Sequence, residues 1–120
     1  MIELINILKS KIDKDIWSDK KKDFDKYLVE PRGRFKGNTN LLLRPRTTKE
    51  VSTIVKICNK YNLPLVPQGG RTGLAGGTVP SKTGNELILS LERMNKIISV
   101  DTSNYLMTVQ AGCILSLIHI

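Results

Sequence analysis

At 120 residues the chain can bury one core but not two, and 40% hydrophobic with 25% charged residues is the composition of a folded globular domain. Nineteen Lys and Arg against eleven Asp and Glu leave a net charge of +8, which suits nucleic acid, an anionic membrane surface or an anionic small ligand. Cys58 and Cys113 lack any CxxC or Cys/His spacing, which excludes a zinc site or a disulfide framework, and the apolar runs fall far short of the ~20 residues that cross a bilayer. The expectation is a soluble, cytoplasmic protein with no metal and no transmembrane segment.

Apolar residues from Ile2 through Ile5, Leu8 and Ile12 to Ile16 recur at three- and four-residue spacing and predict an amphipathic helix ended by Trp17. Lysines and aspartates alternate from Lys9 to Asp25, so this part is a solvated mixed-charge face and not a basic arm. Ser18-Asp19 offers a second helix start, whereas Tyr27 to Arg34 reads as irregular because Pro31 and Gly33 interrupt it. Gly37-Asn38-Thr39-Asn40 makes a turn, and a soft boundary near residue 37 separates a helical segment, 1–36, from a second unit, 37–120. Arg32, Arg34, Lys36, Arg44 and Arg46 have few acidic neighbours in sequence and either surround an anion or simply solubilise the surface.

A strand–helix–strand pattern follows. Leu41-Leu42-Leu43 is a short buried strand, and a helix capped at Thr47 or Thr48, with Glu50 at capping-box distance, carries Val51, Ile54, Val55 and Cys58 on one face as far as Tyr61. Asn62 ends that helix, and Pro64-Leu65-Val66-Pro67 is the next strand. In such a βαβ unit ligands collect beyond the carboxyl ends of the strands, which directs attention to the loop after Val66. Glu86 to Leu91 predicts a third strand, and residues 97–100 with 105–110 an antiparallel pair turning at Asp101–Asn104. The fold class is α+β.

The loop Gln68-Gly69-Gly70-Arg71-Thr72-Gly73-Leu74-Ala75-Gly76-Gly77-Thr78 holds five of the nine glycines within nine positions. Glycine lets the backbone approach a ligand, and successive N–H groups in such turns converge into an anion nest that suits a diphosphate. Thr72 and Thr78 add hydroxyls, and Arg71 a charge-assisted donor. The alternative is a glycine-rich connection without a ligand, but the bounding Pro67 and Pro80 and the position after a βαβ strand favour a rigidly mounted site. Neither GxGxxG nor GxxxxGK[ST] occurs, which excludes the Rossmann and P-loop motifs.

The segment from Leu43-Arg44-Pro45 to Val51, then Val66 to Pro80, resembles the FAD-binding domain of the vanillyl-alcohol oxidase (PCMH) type. Within that type it is most similar to FAD-linked D-2-hydroxyacid dehydrogenases of the glycolate oxidase, D-lactate and D-2-hydroxyglutarate group. Leu89-Ser90, Arg93-Met94-Asn95 and Gln110-Ala111-Gly112-Cys113 continue the likeness over residues 37–115. The resemblance implies that the loop wraps the FAD diphosphate through Pro67, Gln68, Gly69, Gly70, Arg71, Thr72, Gly73, Leu74, Gly76, Gly77 and Thr78, with Ser90, Ala111 and Gly112 nearer the flavin. Relatives commonly carry Asn at position 71. Some attach FAD through a histidine near this loop; here there is none, so noncovalent FAD is expected.

Family members are several times longer and keep their catalytic and substrate-binding residues in the part beyond, so no catalytic residue is assigned. The tail Ser116 to Ile120 departs from the expected continuation and reads as a truncated frame with foreign residues at its end. His119 and Cys113 read as packed or incidental side chains. The implied activity is oxidation of a small D-2-hydroxy acid to the 2-oxo acid, with electrons passed to an unnamed acceptor and no nucleic-acid partner. The rivals are the same fold acting as an alcohol oxidase or ether-lipid synthase, a small basic nucleic-acid-binding module, for which the 5% aromatic content and absence of stacking motifs are poor, and a truncation product without function.

Overall fold

The computed structural model describes residues 1–115; the expectations for Ser116–Ile120 and His119 fall outside them. Helix α1, Ile2–Lys11, buries Ile5 and Leu8. It stops earlier than the apolar spacing predicts: Ile12 is extended, and Asp13–Asp15 form a turn in which Ile16 N–H bonds to the Asp13 carbonyl. The turn lets Ile16 enter the core, and its carbonyl accepts from Arg44 N–H at 2.7 Å. Trp17, expected to end the helix, instead opens a two-residue strand, β1, Trp17–Ser18. Short 3-10 turns at Lys21–Asp23 and Asp25–Tyr27 replace the helix suggested by Ser18-Asp19.

Strand β2, Leu42–Leu43, leads into helix α2, Thr48–Lys60, where the Thr47 hydroxyl caps Glu50 N–H at 3.1 Å. The return half of the capping box is displaced by one residue, because the Glu50 carboxylate takes Arg46 N–H at 2.7 Å. At the other end Asn62 adopts φ 54°, and bonds from Leu63 N–H to the Cys58 carbonyl and from Asn62 N–H to the Asn59 carbonyl complete a Schellman stop. The buried face is Ile54 and Cys58 flanked by Val51, Ile57 and Tyr61; Val55, expected inward, faces solvent.

Strand β3, Leu65–Gln68, and strand β4, Leu87–Ser90, complete a sheet of order β1-β2-β4-β3, antiparallel at β1 and parallel elsewhere. The two strands of the βαβ unit therefore both pair with β4, which lies between them. Pro67 sits on the edge strand, where its missing donor is tolerated.

Side-chain alternation assigns the two faces of the sheet. Leu41, Leu43, Leu87 and Leu89 pack with Ile5, Leu8, Ile54 and Cys58 under the helices, while Leu42 and Ile88 pack with Phe24 and Tyr27 on the opposite face. Residues of the 1–36 segment thus contribute to both layers. Beyond β4, strands β5, Ile97–Asp101, and β6, Leu106–Val109, form a separate hairpin whose turn is held by the Asp101 carboxylate on Ser103 and Asn104 N–H. Ile97, Ile98, Val100, Leu106 and Val109 on it are exposed.

Candidate functional site

The carboxyl ends of β2, β3 and β4 point the same way, and three connections gather there: Arg44-Pro45, the glycine loop from Gly69, and Leu91–Arg93. Residues 110–114 cross beside them. Gly112 N–H bonds to the Met94 carbonyl at 2.8 Å, and a β-carbon on Gly112 would lie 1.7 Å from the Leu91 carbonyl oxygen. Gly112 is therefore required by a backbone crossing, whereas Ala111, exposed, borders Gly69 through its carbonyl. Ser90 is fully buried in register with Gln68 and accepts from Glu92 N–H at 3.4 Å, so its hydroxyl serves the strand end. The structure places Gln68–Gly70, Ser90 and Ala111–Gly112 next to one another at this sheet end.

The loop glycines fall into different classes. Gly76 has φ +87°, and a β-carbon there would press on the Phe35 ring at 3.2 Å; one on Gly70 would meet Ile114 Cγ1 at 2.9 Å. Gly73 has only the Thr78 side chain nearby, and Gly77 has no atom within 4 Å. Backbone conformation and packing thus explain Gly70 and Gly76, and Thr78 sits at ordinary contact distance from Gly73, while the space beside Gly77 has no protein occupant among the described residues.

The hydrogen-bonding of the loop is equally open. Among the described residues none of the main-chain N–H groups from Gly69 to Thr78 donates a hydrogen bond, and the loop's one internal backbone bond runs from Val79 N–H to the Gly76 carbonyl at 3.2 Å. Between Glu50 and Glu86 the sequence has no carboxylate, while Lys56, Lys60, Arg71 and Lys82 fall within it. Unspent N–H donors on a flexible backbone in a positively biased stretch suit an anion with several oxygens. Thr72 and Leu74 are exposed on this loop, Thr78 is half-buried, and Pro67 is exposed just before it.

Two residues of the loop turn elsewhere. Gln68 is 2% exposed, and its amide donates to the carbonyls of Tyr27 and Thr78, both at 2.7 Å, leaving Oε1 without a partner. Arg71 adopts φ +58°, its guanidinium donates to the Lys26 carbonyl at 3.0 Å, and it stacks 5.1 Å from the Tyr27 ring centre. Its main chain belongs to the loop, but its charged group lies on the amino-terminal segment.

Tyr27 and Glu92, which carry no motif, are central to this edge. The Tyr27 hydroxyl donates to Glu92 Oε1 at 2.5 Å, and Arg44 Nη1 lies 3.6 Å from the same oxygen. Desolvation, with the carboxylate beside it, pushes the Tyr27 hydroxyl up to about 12. Nothing local in the sequence signals these partners, because 65 residues separate them. Arg46 pairs with Glu50 at 3.0 Å and Asp13 at 3.5 Å, so two members of the Arg32–Arg46 cluster are engaged within the fold. Burial pushes the Cys58 thiol up to about 11, which makes it an unreactive packing residue.

Residues 39–119 match the family model described as FAD binding domain. The chain belongs to this FAD binding domain family. The domain resembles the D-2-hydroxyglutarate dehydrogenase, mitochondrial, of Danio rerio at 48% identity, covering 66% of this chain and 14% of that protein. It is 38% identical to a D-lactate dehydrogenase of Anaerostipes hadrus, covering 68% of this chain and 17% of that one. The fold superposes on alkyldihydroxyacetonephosphate synthase with a TM-score of 0.76 and 25% identity over 94% of this chain and 23% of the synthase. The chain therefore spans less than a fifth of the length of these two curated relatives. FAD is the cofactor of the family, and the open space at Gly77 with the main-chain donors of residues 69–78 that have no partner among the described residues fits its diphosphate.

Proposed function

We propose that this chain is the diphosphate-holding part of a flavin-dependent oxidoreductase that oxidises a small D-2-hydroxy acid to the 2-oxo acid. The observation that carries the reading is the run of main-chain donors from Gly69 to Thr78 that find no partner among the described residues, beside the open space at Gly77. Main-chain N–H groups of the loop hold the diphosphate, and Thr72 and Thr78 add hydroxyl donors. Pro67, Gln68, Gly70, Leu74 and Gly76 shape the loop, while Ser90, Ala111 and Gly112 form the edge next to the flavin. When bound, FAD supplies hydride acceptance from the substrate's α-carbon. No histidine lies in or next to the loop, so attachment is noncovalent. The electron acceptor is left unassigned.

The substrate class is favoured by identities of 48% and 38% to enzymes named for D-2-hydroxyglutarate and D-lactate, against 25% to the ether-lipid synthase. A nucleic-acid role is disfavoured because Arg44 and Arg46 of the basic cluster are paired with carboxylates. Mitochondrial is part of the Danio rerio protein's name; for this chain we propose the cytoplasm, in keeping with two unpaired cysteines. The domain division proposed is 1–36 and 37–120, with its second part opening close to residue 39, where the family match begins.

FAD titration of the purified chain, followed by flavin fluorescence quenching, tests the reading. Saturable binding that Gly77→Val abolishes, with unchanged circular dichroism, is expected. A folded chain that binds no FAD, or a Gly77→Val variant that binds as well as wild type, overturns it.

A further inference from the structure

The glycine loop does not hold itself in place. Five glycines in nine positions carry a large conformational entropy, and the loop's single internal backbone bond, Val79 to Gly76, restrains only its far end. What restrains the rest comes from far away in sequence. The Gln68 amide, at the loop's entry, joins the carbonyl of Thr78, at its exit, to the carbonyl of Tyr27, and Arg71 reaches the carbonyl of Lys26 and the ring of Tyr27. Both ends of the loop are thereby fastened to one 3-10 turn, Asp25–Tyr27.

That turn is itself immobilised. Phe24 and Tyr27 are buried against Leu42 and Ile88 on the open face of the sheet, and the Tyr27 hydroxyl is tied to Glu92 just past β4. The carboxyl ends of the strands and the loop are thus referenced to the same anchor. Preorganising a loop in its ligand-binding form raises affinity by removing the ordering cost from the binding step.

We propose that the turn Asp25–Tyr27 is a positioning element for the cofactor loop, and that Arg71 serves FAD by clamping the loop to that turn and not by touching the diphosphate. The proposal rests on the FAD reading above. Arg71 is suited to the task because its planar guanidinium both stacks on an aromatic face and donates to a carbonyl. In this chain the amino-terminal segment therefore belongs functionally to the cofactor site, although it carries no ligand residue.

A double-variant cycle on FAD affinity decides between clamp and direct ligand. Arg71→Asn and Tyr27→Leu each weaken FAD binding about tenfold, and the double variant is no weaker than either alone, because both break the same link. Tyr27→Phe, which keeps the ring under Arg71 but releases the turn from Glu92, weakens binding less than Tyr27→Leu does. A second measurement uses no cofactor and does not require Tyr27→Leu to fold: thermolysin cleavage beside the exposed Leu74 in the FAD-free chain accelerates several-fold in Arg71→Asn. Additive losses in the cycle, or an unchanged cleavage rate, overturn the clamp while leaving the loop as the FAD site. No FAD binding by the folded wild-type chain overturns the cofactor reading, and the proposal falls with it.

Discussion

The parallel strands and the glycine loop that follows β3 are adjacent in the chain and opposite in character. In β4 every residue is buried, its neighbours β2 and β3 are in register on both sides, and the side chains fill two packed layers. In the loop five of the residues are glycine, the donors from Gly69 to Thr78 have no partner among the described residues, and Gly77 borders open space. The difference teaches that glycine density alone does not mark a ligand site. Under the proposed reading the mark is glycine such as Gly77, whose missing side chain leaves room that no described protein atom takes up.

Substitutions that respect or ignore this distinction sharpen it. The largest effect is expected at Gly112, where a β-carbon would lie 1.7 Å from the Leu91 carbonyl oxygen. Gly112→Ala should destabilise by more than ~4 kcal/mol, because backbone must move, and thermal unfolding by circular dichroism reads it. Next is the packed layer itself: Ile54→Ala, at a fully buried site between helix and sheet, should cost about 2–5 kcal/mol in urea unfolding. Gly77→Ala should leave stability within about 0.5 kcal/mol, since its side chain enters open space. A stability loss at Gly77 as large as that at Gly112 would erase the contrast between the two kinds of glycine.

Smaller effects test the borders. Thr47→Ala removes the cap on α2 and should cost about 1 kcal/mol, measured by urea unfolding. At Tyr27 burial favours the neutral hydroxyl, so the folded state keeps its proton while the unfolded chain loses it above pH 10. That contribution is fully present below about pH 10 and declines as pH rises toward about 12; Tyr27→Phe should flatten this part of the stability profile. At Glu30 desolvation raises the carboxyl, but backbone N–H groups of Arg32, Arg34 and Phe35 outweigh it and hold it below the usual range. Its stabilising share is present above the ordinary carboxylate value and lost as pH falls through the lowered one. Glu30→Gln should therefore soften the acid limb of unfolding, read by denaturation at successive pH values.

Much of the architecture is legible because its signals are local. The cap at Thr47, the stop at Asn62, the apolar run of β4 and the Asp101–Asn104 turn each depend on neighbours within a few residues. Where periodicity misleads, tertiary demand is the reason. The spacing of Ile12 and Ile16 continues that of α1, yet the chain leaves the helix at Lys11 so that Ile16 and Trp17 can supply the sheet edge. Val55 matches the helical stripe but lies just outside the arc that α2 presents to the strands, and Ile57 takes its place.

By itself the sequence determined the strand–helix–strand order, the glycine-rich loop after β3, and the family to which both belong, since these reside in contiguous residues. Only the tertiary structure decided how that loop is held. It separated the glycines set by φ or packing from those left open, and placed Arg71 on Lys26 and Gln68 on Tyr27, across 45 and 41 residues. Contacts of that span depend on which surfaces the core brings together, and no pattern of neighbouring residues encodes them.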